Sequence, residues 1–272
     1  MDTPRPAALH PIGEGREAEI FEWGDGQILR LVRDPDGQDR AERQAAAMTA
    51  AWKSGVPVPN LRARIQVDGR PGIVMERVDG PSLMRVLARS PWRLFSVART
   101  LGVVHARLNS VVAPAVLPEQ RTFLRERIEM AEALPARLAR FSLGVLEALP
   151  EGNRLCHGDF HVSNLLVGSR GPMVIDWALA ARGDPAADFA RSVLLIRIGE
   201  VPPGTPRMIR MGRRFGQGVF LRAYERSYRR LRRVDEGAMP RWEIVNAAAR
   251  FAEGIESEYR ALARLIESRM RS

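Results

Sequence analysis

The chain is short of lysine, cysteine and long apolar runs. Of its 42 Lys and Arg residues, all but Lys53 are arginine. Lysine-based chemistry therefore has one possible site in 272 residues. Cys156 is the only cysteine, which excludes an internal disulfide and fits a reducing, cytoplasmic setting. No apolar run approaches the ~18 residues of a membrane span. No apolar segment follows a basic start, so no signal peptide is expected. Internal repeats and low-complexity segments are missing as well. Acids are outnumbered, and the net charge is +10. Abundant Ala, Gly and Pro beside Arg point to a coding bias as the origin of that charge. Arginine stays protonated at any working pH, so the positive surface is real whatever its origin. With 45% hydrophobic and 27% charged residues, the composition is that of a soluble globular protein with ample core.

The stretch from Leu155 to Ala190 organises the rest. It reads LCHGDFHVSNLLVGSRGPMVIDWALAARGDPAADFA. Asp159, Asn164 and Asp176 stand between short apolar runs. Leu165-Leu166-Val167 and Met173-Val174-Ile175 read as two short strands preceded by a polar loop. This pattern places a carboxylate, an amide and a second carboxylate at strand ends facing one cleft. Such an oxygen-rich trio suits Mg²⁺, a hard cation that shares phosphate oxygens.

Asp159 and Asn164 are five positions apart, the spacing of the base and the metal-binding Asn in a kinase catalytic loop. The residues are HGDFHVSN, however, and Asp176 is followed by Trp177-Ala178. Those departures point away from protein kinases. HGDFHxxN, VIDW and GDPAxD together resemble the aminoglycoside phosphotransferase and choline kinase-like family. The resemblance implies an α+β, protein-kinase-like fold in two lobes. A small antiparallel sheet with one main helix would cover residues 1–77, and a larger, mostly helical lobe residues 78–272.

The N-terminal half has a pattern that fits. Ile12 to Arg16 reads as a turn, and Ala18–Trp23 and Gln27–Arg33 alternate as strands about Gly24-Asp25-Gly26. Asp39–Lys53 is an Ala-rich helix, stopped at Ser54-Gly55. Leu61–Val67 and Gly72–Arg77 are two further strands, so that a group of strands with one helix is expected before residue 78. In kinases a Gly-containing turn covers the phosphates, and a strand cation pairs with a helix acid. Gly13 and Gly15 are the candidates for the cover, although an ordinary hairpin has the same glycines. Arg30 is the candidate cation and Glu42 its acid, since Lys53 lies beyond the helix. By resemblance, Val74 to Gly80 is the hinge, with the Glu76 carbonyl and the Val78 amide set for the nucleobase edge.

From Pro81 onward the chain reads as helical. Ser82 caps a short helix. Ser90-Pro91 opens another, on whose apolar stripe His105 is a packed core residue. Glu119 to Leu149, Asp184 to Ile198, Met208 to Val234 and Trp242 to Met270 are further helical stretches. Ten arginines lie between Arg207 and Arg233, with Phe220, Tyr224 and Tyr228 recurring every four residues. Aromatics facing the core and arginines facing water explain this pattern without a nucleic-acid partner.

The implied function is Mg²⁺-dependent transfer of the γ-phosphate of ATP or GTP to a hydroxyl of a small molecule. Asp159 is the base, and Asn164 and Asp176 hold metal. By resemblance His157 and Asp188 brace the loop, while His161 braces it or lines the acceptor side. Glu253 and Glu256 are candidate acids for the acceptor. Two other readings use the same residues. One is a zinc or iron site from His157, Asp159, His161 and Asp176. The other is nucleotide binding without turnover, which Arg30 in place of lysine would favour. The +10 charge argues against polycationic aminoglycosides as the acceptor.

Overall fold

In the computed structural model, residues 9–14, 18–24, 26–198 and 207–271 are described, with side chains from 216 onward in the last segment. Gly15 lies outside these residues. Five strands come first: β1 (Pro11–Glu14), β2 (Ala18–Glu22), β3 (Gln27–Val32), β4 (Leu61–Val67) and β5 (Arg70–Glu76). They form one antiparallel sheet in the order β1-β2-β3-β5-β4. Ile12 to Glu14, which the sequence suggests as a turn, pairs with β2 as an edge strand.

Alternation along β3 sorts its side chains between two faces. Leu29 and Leu31 join Phe21, Val67 and Val74 in a small cluster. Ile28, Arg30 and Val32 point the other way. Arg30 is paired with Ile20 on one side and Ile73 on the other, which sets it in the middle of the sheet. Helix α1 (Gln38–Lys53) packs through Ala41, Ala45, Met48 and Ala51. Small alanines let it lie close to the strands. It ends at Ser54, whose N–H bonds back to Ala50 and Ala51, ahead of the left-handed Gly55.

The sheet ends at Glu76, and helices follow. These are α2 (Leu83–Arg89), α3 (Leu94–Leu108), α4 (Gln120–Glu129) and α5 (Ala136–Glu147). Ser82 caps α2 by accepting the Arg85 N–H at 3.3 Å. The central stretch adds two small ribbons. One pairs β6 (Arg154–Cys156) with β9 (Ala181–Gly183), which the sequence pattern does not reveal because each is three residues long. The other pairs β7 (Leu165–Gly168) with β8 (Gly171–Val174), as expected.

Four helices close the chain: α6 (Pro185–Ile198), α7 (Arg207–Arg229), α8 (Met239–Arg250) and α9 (Glu256–Met270). The expected single helix from Trp242 to Met270 is thus broken. A short turn of tighter helix, Phe251–Glu253, and Gly254 at φ +71° separate α8 from α9. Among the described residues no helix is long and apolar enough to cross a membrane.

Phe220, Tyr224 and Tyr228 of α7 are buried, as the stripe predicted. They approach α3 so closely that a Cβ on Gly102 would lie 2.7 Å from the Tyr224 carbonyl oxygen. His105 is buried on α3, again as predicted, but it is also hydrogen-bonded. Its Nδ1 meets the Tyr224 hydroxyl at 2.6 Å. The Tyr228 hydroxyl donates to Asn109 Oδ1 at 2.7 Å. Tyr228→Phe strands that buried oxygen, so a loss of about 1–3 kcal/mol is expected in urea unfolding.

Candidate active site

The polar loop between β6 and β7 is built on a glycine. Gly158 has φ +77°, and a Cβ there would lie 2.3 Å from the Leu179 carbonyl oxygen. Only glycine allows this turn, which presents Asp159 to the cleft. Asn164 then reaches back across the loop. Its Nδ2 donates to the Asp159 carbonyl at 2.8 Å and to Asp159 Oδ2 at 3.1 Å. His161 Nδ1 accepts the Ser163 N–H at 3.2 Å, so Nε2 carries the proton and lies 3.3 Å from Asp159 Oδ2. Burial would raise the Asp159 carboxyl. The hydrogen bond from His161 and the nearby Arg191 guanidinium outweigh it and hold the group well below the usual carboxylate range.

A buried carboxylate holds the loop from beneath. Asp188, on α6, is 1% exposed. Its Oδ2 accepts the His157 N–H at 2.8 Å, His105 Nε2 at 2.9 Å and Asn109 Nδ2 at 2.9 Å. Its Oδ1 accepts the Gly158 N–H at 2.8 Å. Burial opposes the charge, but His105, Asn109 and the backbone donors prevail and depress its pKa strongly. One turn along α6, Arg191 Nε donates to the Gly158 carbonyl at 3.0 Å. The loop is therefore gripped at two successive residues by one helix.

Asp176 follows β8 at φ +59°, a left-handed conformation that Asp tolerates better than most residues. Its carboxylate is about half exposed and faces the same cleft as Asn164 and Asp159. Asp176 and the Asn164 carbonyl are hard oxygen donors suited to a cation that shares phosphate oxygens. The alternative zinc or iron site is not formed. His157 donates Nε2–H to the Ile175 carbonyl at 3.0 Å and accepts the Asp159 N–H on Nδ1 at 3.2 Å, so neither nitrogen is left for a metal. Burial also lowers its pKa, against the pull of Asp188, Asp159 and Asp176, which favours the neutral ring. Among the described residues no three His, Cys, Asp or Glu side chains converge as a metal site.

The cleft, about 1120 Å³, runs from beneath the sheet past Asp159 to the helices behind it. A model of the phosphotransferase enzyme family matches residues 8–236. The chain belongs to that family. It is 30% identical over 213 residues to acyl-CoA dehydrogenase family member 10 of Mus musculus. That match spans 67% of this chain but only 20% of the relative's length. A thermostable mutant of aminoglycoside phosphotransferase APH(4)-Ia in its apo form superposes with a TM-score of 0.66 at 16% identity, covering 96% of this chain and 94% of that one. An amicoumacin kinase in complex with AMP-PNP, Ca²⁺ and Ami superposes at 0.65 and 14% identity, covering 97% and 88%. The fold of the phosphotransferase is the two-lobed, protein-kinase-like α+β arrangement.

One expected pair of this phosphotransferase does not form. Glu42 is bonded to Gln38 at 2.9 Å on the outer side of α1 and does not line the cleft. Two residues further on, about 200° round the helix, Gln44 is 1% exposed and does line it. The spacing along α1 held the clue, because Gln44 shares a face with Ala41, Ala45 and Met48. Arg30 also lines the cleft, with its side chain 9% exposed and Nη2 3.5 Å from Asp176 Oδ1. Arg30 Nη1 and Gln44 Oε1 are both buried without a hydrogen-bond partner, one a donor and one an acceptor.

The remaining expected residues divide. Gly13, Glu76 and Val78 line the cleft on the sheet side, with Ile20, Ile28 and Met75. The Glu76 carboxylate bonds Arg170 and accepts the Asn60 N–H at 3.2 Å. Glu253 lines the far end, whereas Glu256 is exposed on the first turn of α9 and does not. The break after Arg250 turns Glu253 inward.

Asp188 ties the site to stability. Its folded pKa is depressed, so its contribution is present above the ordinary carboxylate value of about 3.9 and is lost as the pH falls. Asp188→Ala is expected to cost about 3–5 kcal/mol at neutral pH. It should also flatten the acid limb of stability against pH, measured by urea unfolding between about pH 3 and about pH 7.

Proposed function

We propose that the chain is a Mg²⁺-dependent kinase that moves the γ-phosphate of ATP or GTP to a hydroxyl of a small molecule. The observation that carries this is the joining of Asp159 to Asn164 on a braced loop, in one cleft with Asp176 and Arg30. The amicoumacin kinase complex with AMP-PNP and Ca²⁺ supports nucleotide and divalent-cation use by a chain of this fold. The single cysteine, buried on β6, fits a cytoplasmic setting.

Each residue has a role that its surroundings suit. Asp159 is ionised at neutral pH. It accepts the proton of the acceptor hydroxyl as that oxygen bonds to the γ-phosphorus and the bond to the β-phosphate oxygen breaks. Asp176 and Asn164 would hold Mg²⁺, which would supply neutralisation of phosphate charge. Arg30 presents a buried guanidinium with one nitrogen unspent to the phosphates, and Gln44 offers an unspent amide oxygen to the same cleft. Gly13 covers the phosphates from the sheet side. The backbone at Glu76 and Val78 takes the nucleobase edge, between Ile28 and Met75. His161 steadies Asp159.

A second reading is nucleotide binding without turnover. It is favoured by the neutral Gln44 where an acid would fix the cation. Steady-state assays of nucleotide consumption and acceptor phosphorylation separate the two. Asp159→Asn is expected to lower kcat by about 10²–10⁴-fold while nucleotide affinity stays within about twofold. Nucleotide binding without phosphorylation of any hydroxylated compound would overturn the kinase reading. Gln44→Ala is expected to lower kcat/KM more than Glu42→Ala does. The reverse order would return Glu42 to the site.

A further inference from the structure

The stretch between Asp79 and Glu119 holds five arginines and no acid. Its first part is α2, the turn Pro91–Arg93 and the start of α3, and it leaves large apolar side chains in water. Met84 is 44% exposed, Trp92 78% and Phe95 65%. Helical phase explains the two aromatics. Val97, Ala98, Leu101 and Val104 fix the buried side of α3. Phe95 precedes Val97 by two positions, about 200° round the helix. Trp92 lies one turn before Phe95 and Arg99 one turn after it, so an outer stripe carries all three. The backbone beneath is held from within. Leu83 is buried, and the Met84 N–H bonds to the Val162 carbonyl at 3.0 Å.

Arg89, Arg93 and Arg99 are exposed beside these apolar groups. Among the described residues none of the three guanidinium groups forms an ion pair or a side-chain hydrogen bond. The acids that bound the stretch are engaged elsewhere. Asp79 is bonded to Arg77 at 2.7 Å, and Glu119 accepts the N–H groups of Arg121 and Thr122. Helix α7, packed along α3, brings Glu225 as its only acid, with Arg222 and Arg226 exposed on either side of it. An apolar patch set among unpaired cations calls for a partner that is anionic and apolar at once.

A second copy of this face would set arginine against arginine. A nucleic acid is gripped through many polar side chains, yet every residue from Leu83 to Arg99 other than arginine is apolar, aromatic or serine. A bilayer surface rich in anionic lipid suits both components. Tryptophan and phenylalanine rings settle at the level of the headgroups, and guanidinium groups bond the lipid phosphates. We propose that this face docks the protein on an anionic lipid surface. Met84, Trp92 and Phe95 enter the headgroup boundary, while Arg89, Arg93 and Arg99 pair with phosphates. The chain then lies on the membrane and does not span it. This docking is independent of the phosphotransferase reading.

The test is co-sedimentation of the full chain with vesicles of phosphatidylcholine alone and of phosphatidylcholine mixed with phosphatidylglycerol. Binding to the mixed vesicles is expected to be tighter by about tenfold or more, and to weaken as salt is added. Arg89→Gln, Arg93→Gln and Arg99→Gln should each weaken it about fivefold. Trp92→Ser with Phe95→Ser should weaken it by about tenfold or more, at high salt as well as low. Brominated acyl chains should quench the tryptophan fluorescence of the wild type and not that of Trp92→Phe. Unchanged urea midpoints report that these surface variants fold. Absence of binding to mixed vesicles, equal binding to both kinds, or binding untouched by the variants overturns the proposal. So does a dimer in sedimentation, or tighter binding of an oligonucleotide, that Trp92→Ser abolishes while vesicle binding persists.

Discussion

One buried carboxylate holds this structure in working order. Asp188 accepts four hydrogen bonds, from two backbone N–H groups of the Asp159 loop, from His105 on α3 and from Asn109 at its C-terminal cap. An ionised group so deep in the protein is tolerable only when donors surround it. The donors come from two segments far apart in the chain, so the charge fastens them together. Tyr224 and Tyr228 of α7 complete the ring through His105 and Asn109. The loop that presents Asp159 is in this way continuous with the core of the helical lobe. Its backbone position is set by residues buried beneath it.

The same helix acts twice. Asp188 holds the Gly158 N–H, and Arg191, one turn on, holds the Gly158 carbonyl. Arg191 then passes the connection to Glu253 at the far end of the cleft. Beneath the sheet, Arg30 brings a positive charge toward Asp176 at a distance long enough to leave both groups open to other partners. The cleft is thus polarised about Asp159. One end holds a guanidinium and oxygen donors, and the other holds an acid among arginines.

Much of the site was legible in the sequence because its pieces are local. Asp159, Asn164 and Gly158 belong to one loop, and their spacing is a property of that loop. The paired strands after it followed from short apolar runs, and the buried face of α7 followed from aromatics at every fourth position. What stayed hidden depended on distant contacts or on helical phase. Glu42 is the acid that α1 offers to Arg30 in sequence, yet the phase of α1 turns Glu42 outward and Gln44 inward. The ribbon of β6 and β9 was too short to show a period. The break between α8 and α9, with a left-handed Gly254, sat inside a stretch of good helix formers.

By itself the sequence determined the family of the fold, the loop that carries Asp159 and Asn164, and the sides of the strands and helices that meet the core. Those features repeat at fixed intervals or lie within a few residues, so backbone geometry alone relates them. Only the tertiary structure decided which charges meet. Asp188 and His105 are 83 residues apart, Arg191 and Glu253 are 62 apart, and Arg30 and Asp176 are 146 apart. No period links such positions. Their pairing is set by how the helices pack, and that packing turns Glu253 from a free acid into the centre of an arginine cluster.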